Sequence, residues 1–522
     1  MRWLKYSEDL DVPGTSILVD ETKKLVAAEE TDDHIVYIPQ PSDSPLDPLR
    51  WSGAWKLIHY SVCLIFVLVA AATASWNGIL YDIFVYEFGV SYNQLNTGSG
   101  LSYLFLAFGC WFTQISANVF GRRPTYLFFT VLVILASIVF AARKNYSGYL
   151  VYNILNGLGV APIDTLVQVT IGDVFFLHQH GRLMALYTLC LATGSSFGPI
   201  ITGYISSHGD WSWTNYTIII LMSFILICQI LFIQESYFDR ESSETALSMV
   251  ELHKSPSVEK SQLNVETQEI KPESLPFLQR LKFMRPRSPI GSIFKLVIAP
   301  FKTLRYPAVA WVAVAYGLQM CWLSLLSLTV AQFFASPPYL FSTAAMGNTS
   351  YAGVIGSIIG PIYVSFSDKY CIWRAKRNNG ILEPEFRLDF MWLPLLINTL
   401  GLLLYGFCPY YQWKWIVGVI GIGFINFGIC TITSCMLTYV LECYTDQVTD
   451  TMSSLLFIRN IVGAIFNWVF QDWLDAMGIK NFTILMAVLC VVINGFGFIF
   501  VIYGKSFRKL TAKWYVEASQ HL

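Results

Sequence analysis

From Leu57 to Tyr503 the chain alternates between apolar runs of about 20 residues and short polar breaks, and a run of that length matches the hydrocarbon thickness of a bilayer. The pattern predicts a polar tail over residues 1–56, then six spans at Leu57–Ile79, Leu95–Ser116, Thr125–Ala142, Tyr149–Ile171, Met184–Ser206 and Tyr216–Ile233. These form an N-terminal bundle over residues 57–235. A polar stretch over 236–305 follows, and "ESSETALSMVELHKSPSVEKSQLNVETQ" has no apolar periodicity, which predicts a largely disordered linker. Its last part, "FLQRLKFMRPRSPIGSIFKLVIAPFKTL", mixes basic and apolar residues, as does a segment lying along an anionic leaflet. Six more spans fit Ala308–Phe333, Tyr351–Phe366, Met391–Phe407, Trp413–Leu437, Met452–Phe470 and Phe482–Tyr503, giving a C-terminal bundle over 306–504 and a tail over 505–522. The expected fold is an all-α polytopic membrane protein of two six-helix halves. A β-barrel would need short alternating segments instead.

Composition agrees with this reading. Only 13% of the 522 residues are charged and 54% are hydrophobic, whereas soluble domains carry roughly 25% charged residues. The net charge of −1 hides a segregation. Acids crowd the first tail, while Lys and Arg collect at Gly121-Arg122-Arg123, around Arg182, from Lys369 to Arg377 and after Lys505. The positive-inside rule then places both termini in the cytoplasm. Sequons at Asn145, Asn215, Asn348 and Asn481 fall in or beside the predicted outer loops, and Asn145, Asn348 and Asn481 are the glycosylation candidates. The charge pattern sets orientation and points to no nucleic acid. The 11 cysteines have no CxxC or Cys/His spacing, so neither a disulfide framework nor a metal site is expected. The first apolar segment begins too late to be a cleaved signal and reads as an uncleaved anchor. "NTGSGL" lacks the ending of a phosphate loop and no nucleophile–base pair is recognisable, so an enzyme is not expected.

Three features carry chemistry. The turn "SANVFGRRPTYL" reads as a positive anchor or as a conformational latch built on Gly121, Arg122 and Arg123, with "GPIYVSFSDKY" (Asp368, Lys369) as a charged turn at the matching place in the second half. "GSSFGPIITGY" sets Gly194, Gly198, Pro199 and Gly203 on span five, for close packing or for bending during transport. "GVAPIDTLVQV" places Asp164 roughly 13 Å from Asp173, near mid-bilayer, where an acid costs about 2.5–3.5 kcal/mol and must face a cavity or a partner. Asp164 reads either as a substrate or proton site or as a structural pair with Arg459. Gln168, four residues on, shares its helix face. Tyr187, Tyr316 and Trp322 offer aromatic faces to an ammonium group, and Gln319 and Asn460 add polar contacts within spans.

The glycine-arginine turn, its Asp368 counterpart, the glycine-proline helix and "QESYFDR" resemble the major facilitator superfamily in its fungal drug:proton antiporter branch. "IPQPSDSPLDPLRWSGAWK", "TIGDVFFLHQHGRL", "RNNGILEPEFRL" and "YVLECYTD" narrow the resemblance to the yeast polyamine and histidinol permease group of organic-cation transporters. The resemblance implies two six-helix bundles around a central cavity, alternating access and coupling to a proton gradient with no cofactor. It also implies that Glu442 is a gate residue, while its place at the end of span ten reads equally as an interfacial solvated acid. Asn118 stands where the family's turn carries an acid, and Asn153 where its antiporter motif places an arginine, so the direction of transport stays open. The expected function is proton-coupled transport of a small, polyamine-like organic cation by a monomer in the plasma membrane. Multidrug efflux by drug:proton antiport is the alternative, and a transporter-like nutrient sensor is a third reading.

Overall fold

The computed structural model describes residues 13–14, 16–17, 47–237, 293–378 and 381–519. Most of the expected N-terminal tail and linker lies outside the described residues. Span one is α1 (Gly53–Ser75), a 3-10 turn (Trp76–Leu80) and α2 (Tyr81–Phe88). Then come α3 (Tyr92–Val119), α4 (Arg122–Ala142), α5 (Tyr146–Val160), α6 (Pro162–Val174), α7 (Leu177–His208) and α8 (Ser212–Phe232). The second half has α9 (Ile293–Thr303), α10 (Pro307–Phe334), α11 (Thr343–Arg377), α12 (Trp392–Tyr410), α13 (Trp415–Cys443), α14 (Val448–Gly495) and α15 (Gly497–Ser519). Among the described residues, eleven helical stretches are long and apolar enough to cross a membrane. The last, Val448–Tyr515, has 68 residues, about 100 Å of helix, and φ of +72° at Gly478 divides it into spans eleven and twelve.

Local sequence explains the boundaries. Ser91 and Gln94 form a reciprocal capping box at the start of α3, while Ser52, Asn145 and Ser342 each accept a backbone N–H at the heads of α1, α5 and α11. Pro162 has no N–H to continue the ladder, so span four breaks between α5 and α6, two residues before Asp164.

Several helices outrun their hydropathy. The charged turn expected at Asp368-Lys369 is instead part of α11, which continues to Arg377 because neither Gly nor Pro interrupts residues 362–378. The side chain of Asp368 lies outside those described. The last part of the linker, read as a basic and apolar segment lying along a leaflet, contains α9, whose Phe301 ring lies 5.8 Å from Trp111 and 5.3 Å from Phe457. The expected C-terminal tail is likewise helical in α15. There Arg508 is fully buried against both oxygens of Glu385 at 2.9 and 2.7 Å, and Lys505 pairs with Glu383 at 2.9 Å. A buried charge is kept only when paired, and these two acids do so. The only strands among the described residues are β1 (Ser16–Ile17) and β2 (Ile381–Leu382), two residues each and antiparallel.

The two halves meet along α3 against α14 and α7 against α11. Lipid gives no hydrophobic drive between helices, so close backbone approach and hydrogen bonds hold the seam. A Cβ on Gly78 would lie 2.3 Å from Ser327 O, and one on Gly203 would lie 2.6 Å from Thr343 O. Asn93 donates to Asp472 at 3.1 Å, and the Trp468 indole donates to Thr97 O at 3.3 Å. These contacts close the end of the bundle that carries Asn145, the sequon end; the opposite end, at Gly121–Arg123, is the arginine end.

Candidate functional site

Asp164 occupies the first turn of α6, where the exposed N–H groups of the helix favour a negative charge. Opposite it, Arg459 projects from α14, so the pair joins the N-terminal half to the C-terminal half. Both residues are buried, at 7% and 4% exposure. Arginine has five donors and no acceptor. Arg459 Nε donates to Asn460 Oδ1 at 3.0 Å, Nη1 to the Tyr316 hydroxyl at 2.8 Å, and Nη2 to Asp164. The guanidinium also lies 5.0 Å from the centre of the Tyr316 ring. Asn460 reaches back across the seam, donating to Cys110 Sγ on α3 at 3.7 Å.

The turn that carries Asp164 is fixed from α7. Tyr187 donates to Ile163 O at 2.7 Å and receives a bond from Gln168 Nε2 at 3.4 Å. The structure therefore gathers Asp164, Gln168, Tyr187, Tyr316 and Asn460 in one place. It does not bring Gln319 and Trp322 there. Gln319 is bonded within the C-terminal half, to Asn494 at 3.1 Å and from Asn398 at 3.3 Å, and Trp322 is completely buried in the same half. Hydropathy could not separate the two faces of α10, since both are apolar.

At the arginine end, Arg122 Nε pairs with Asp173 at 3.1 Å, and its Nη1 bonds Asn118 Oδ1 at 2.9 Å and Ala117 O at 3.0 Å. Arg123 Nη2 donates to Ile230 O at 2.8 Å. Glu442 accepts from Arg387 at 2.6 Å. The two pairs occupy matching places, an arginine before span three or nine with an acid at the foot of span four or ten. Lys369 is exposed, with its amine 5.9 Å from the Phe366 ring, and Arg387 makes in the second half the pairing that Arg122 makes in the first.

Sequence reasoning gave no role to Glu235. It is buried, and its carboxylate accepts from the backbone N–H groups of Arg122, Arg123 and Tyr237 at 2.9, 3.3 and 3.0 Å. It thus caps α4 from the far end of the same half. Gly121 has φ of +121°, and a Cβ there would lie 2.2 Å from Glu235 Oε2, so only glycine admits this cap. The available signal was "QESYFDR" itself, an acid just after an apolar span. Glu235→Gln removes the charge and leaves one oxygen for three donors, an expected loss of about 1–2 kcal/mol. It should lower the melting temperature of the detergent-purified protein, and an unchanged melt would contradict the cap.

On α7, Gly194 and Gly198 lie against α1, where added Cβ atoms would stand 2.4 Å from Leu68 O and Ala72 O. Pro199 and Gly203 face α11 instead. Asn145 is exposed and caps α5, Asn348 and Asn481 are exposed but sit inside helices rather than loops, and Asn215 is buried. Between loops of the N-terminal half Lys144 bonds Asp210 at 2.7 Å, which holds its amine above the usual range.

A family model described as Major Facilitator Superfamily matches residues 62–467. The chain is 28% identical to Protein HOL1 of Saccharomyces cerevisiae over 94% of this chain and 93% of that protein. It is 24% identical to the probable drug/proton antiporter YHK8 of the same yeast, over 94% of each. Among solved structures, the fold matches the xylose transporter XylE from E. coli with a TM-score of 0.57 at 14% identity, over 85% of this chain and 97% of that one. It matches the human organic anion transporter MFSD10 with a TM-score of 0.55 at 15% identity, over 86% and 99%. A model that spans most of both bundles, on a chain folded into two six-helix halves, means that this protein belongs to the Major Facilitator Superfamily and is a membrane transporter rather than an enzyme.

Proposed function

We propose that the protein is a proton-coupled transporter of small, polyamine-like organic cations, working by alternating access in the plasma membrane with its arginine end and both termini in the cytoplasm. The observation that carries this reading is the buried Asp164–Arg459 pair between the halves. A proton on Asp164, or an ammonium group beside it, competes with Arg459 for the same carboxylate. Either one severs the bond that ties α6 to α14. Arg459 then keeps its hydrogen bonds to Tyr316 and Asn460 while its charge loses its counter-ion. Gln168 and the ring of Tyr187 flank the place an ammonium would take, and a cation over an aromatic face gains about 0.5–2 kcal/mol. The Arg122–Asp173 and Arg387–Glu442 pairs serve as latches that hold the arginine end in one of its two arrangements.

Drug efflux by proton antiport is a second reading, favoured by the close-packed glycine-proline face of α7 and by the likeness to YHK8. Radiolabelled spermidine flux separates the two. Cells that overexpress the protein should take up spermidine faster than deletion cells, and more so at the lower of two external pH values. Faster efflux, or uptake indifferent to pH, would reject the proposal, and flux in proteoliposomes distinguishes either transporter from a sensor.

A further inference from the structure

A small cleft, with about 60 Å³ of free volume, opens between α1, α7, α10, α11 and α13, on the sequon side of the ion pair. We propose that it is a second subsite, taking the distal ammonium of an elongated diammonium or triammonium substrate whose first ammonium sits at Asp164; this rests on the organic-cation reading above.

The chemistry of the lining points to an ammonium. None of the residues around the cleft is charged, but Ser75, Ser195, Ser196, Ser327, Thr349 and Asn426 supply polar groups. Most of their donors are already used. Ser75 donates to Ser195 O at 2.5 Å, Ser195 and Ser196 to Ala192 O at 2.9 and 3.2 Å, and Thr349 to Met346 O at 2.7 Å. Asn426 Nδ2 donates to Ile422 O at 2.9 Å. A hydroxyl whose proton is already committed offers only lone pairs, and the Asn426 amide adds its Oδ1, so the cleft is richer in acceptors than in free donors. An ammonium has three donors and no acceptor, and it is the complement of such a lining.

The spacing sets the substrate's length. Tyr187 marks the level of Asp164 through its bond to Ile163 O. Ser195 lies eight residues further along the same helix, about 12 Å at 1.5 Å per residue. From Tyr316, which shares Arg459, to Leu323 at the near edge of the cleft is seven residues of α10, about 10 Å. An extended aliphatic chain advances about 1.2 Å per bond, so the two subsites match amines separated by about nine methylenes. A short diamine fills one subsite only.

The test is competition by α,ω-diamines of graded length, and by n-alkyl monoamines of the same lengths, against radiolabelled spermidine uptake by the full-length protein. Diamines near nine methylenes should compete about tenfold better than the matched monoamines, the size of a hydrogen bond to a charged group. The Ser195→Ala/Ser196→Ala variant, and separately Thr349→Val, should remove most of that advantage while leaving monoamine competition unchanged, at normal surface abundance. A flat response to diamine length, or variants that weaken both series equally, overturns the second subsite alone. Failure of every amine to compete overturns it together with the cation reading of Asp164.

Discussion

Asp164→Asn is expected to reduce proton-driven uptake to the level of deletion cells while the protein still inserts and reaches its membrane. The amide keeps the size and most of the hydrogen bonding of the carboxylate, but it neither binds a proton at physiological pH nor balances a cation. Two losses follow. No ammonium is attracted to α6, and Arg459 is left as an uncompensated buried charge, for which breaking a pair costs about 3–5 kcal/mol. Insertion itself should survive, because an amide within a span is less costly than a carboxylate. Uptake assays on a fluorescently tagged variant, read beside its localisation, measure both. Proton-dependent uptake retained by a correctly placed variant would remove Asp164 from the coupling mechanism.

Much of this architecture is written in hydropathy, because a span must satisfy every backbone polar group within its own helix and must therefore be long and apolar. Spans three and six run almost as their apolar stretches predict, Arg122–Ala142 and Ser212–Phe232. What hydropathy cannot mark is where a helix stops after leaving the bilayer. For that reason α11 passes straight through Asp368 and Lys369, and α15 carries Arg508 back onto Glu385. The absence of Gly and Pro from residues 362–378 was the usable sign. The site was legible in the same partial way. An acid in an apolar run announces itself, and Arg459 was the evident partner, but the pairs of Arg122 with Asp173 and Arg387 with Glu442 join segments about 50 residues apart, and Glu235 caps a helix more than 100 residues earlier. No local period records such contacts. Gln319 and Asn460 look alike as lone amides within spans, and only the rotation of each helix sends one into the C-terminal half and the other to the seam.

Arg459→Gln carries the second large effect, and combining it with Asp164→Asn tells a structural pair from a coupling pair. Alone, Arg459→Gln leaves Asp164 buried beside a neutral partner, and its melting temperature should fall as that of Asp164→Asn does. Proton-driven uptake should fall at least tenfold, because the carboxylate no longer alternates between a guanidinium and an incoming cation. In the double variant neither charge remains, so no unpaired buried charge is left to penalise the fold. Its stability should therefore return close to that of the wild type, so that the interaction term in the double-mutant cycle is close to the sum of the two single losses. Uptake should not return with it. If the pair only held α6 to α14, the double variant would recover transport along with stability. If exchange of cations at Asp164 is what moves the halves, a well-folded double variant remains unable to concentrate substrate, and recovery of accumulation by that variant is the result that would make the bond structural alone.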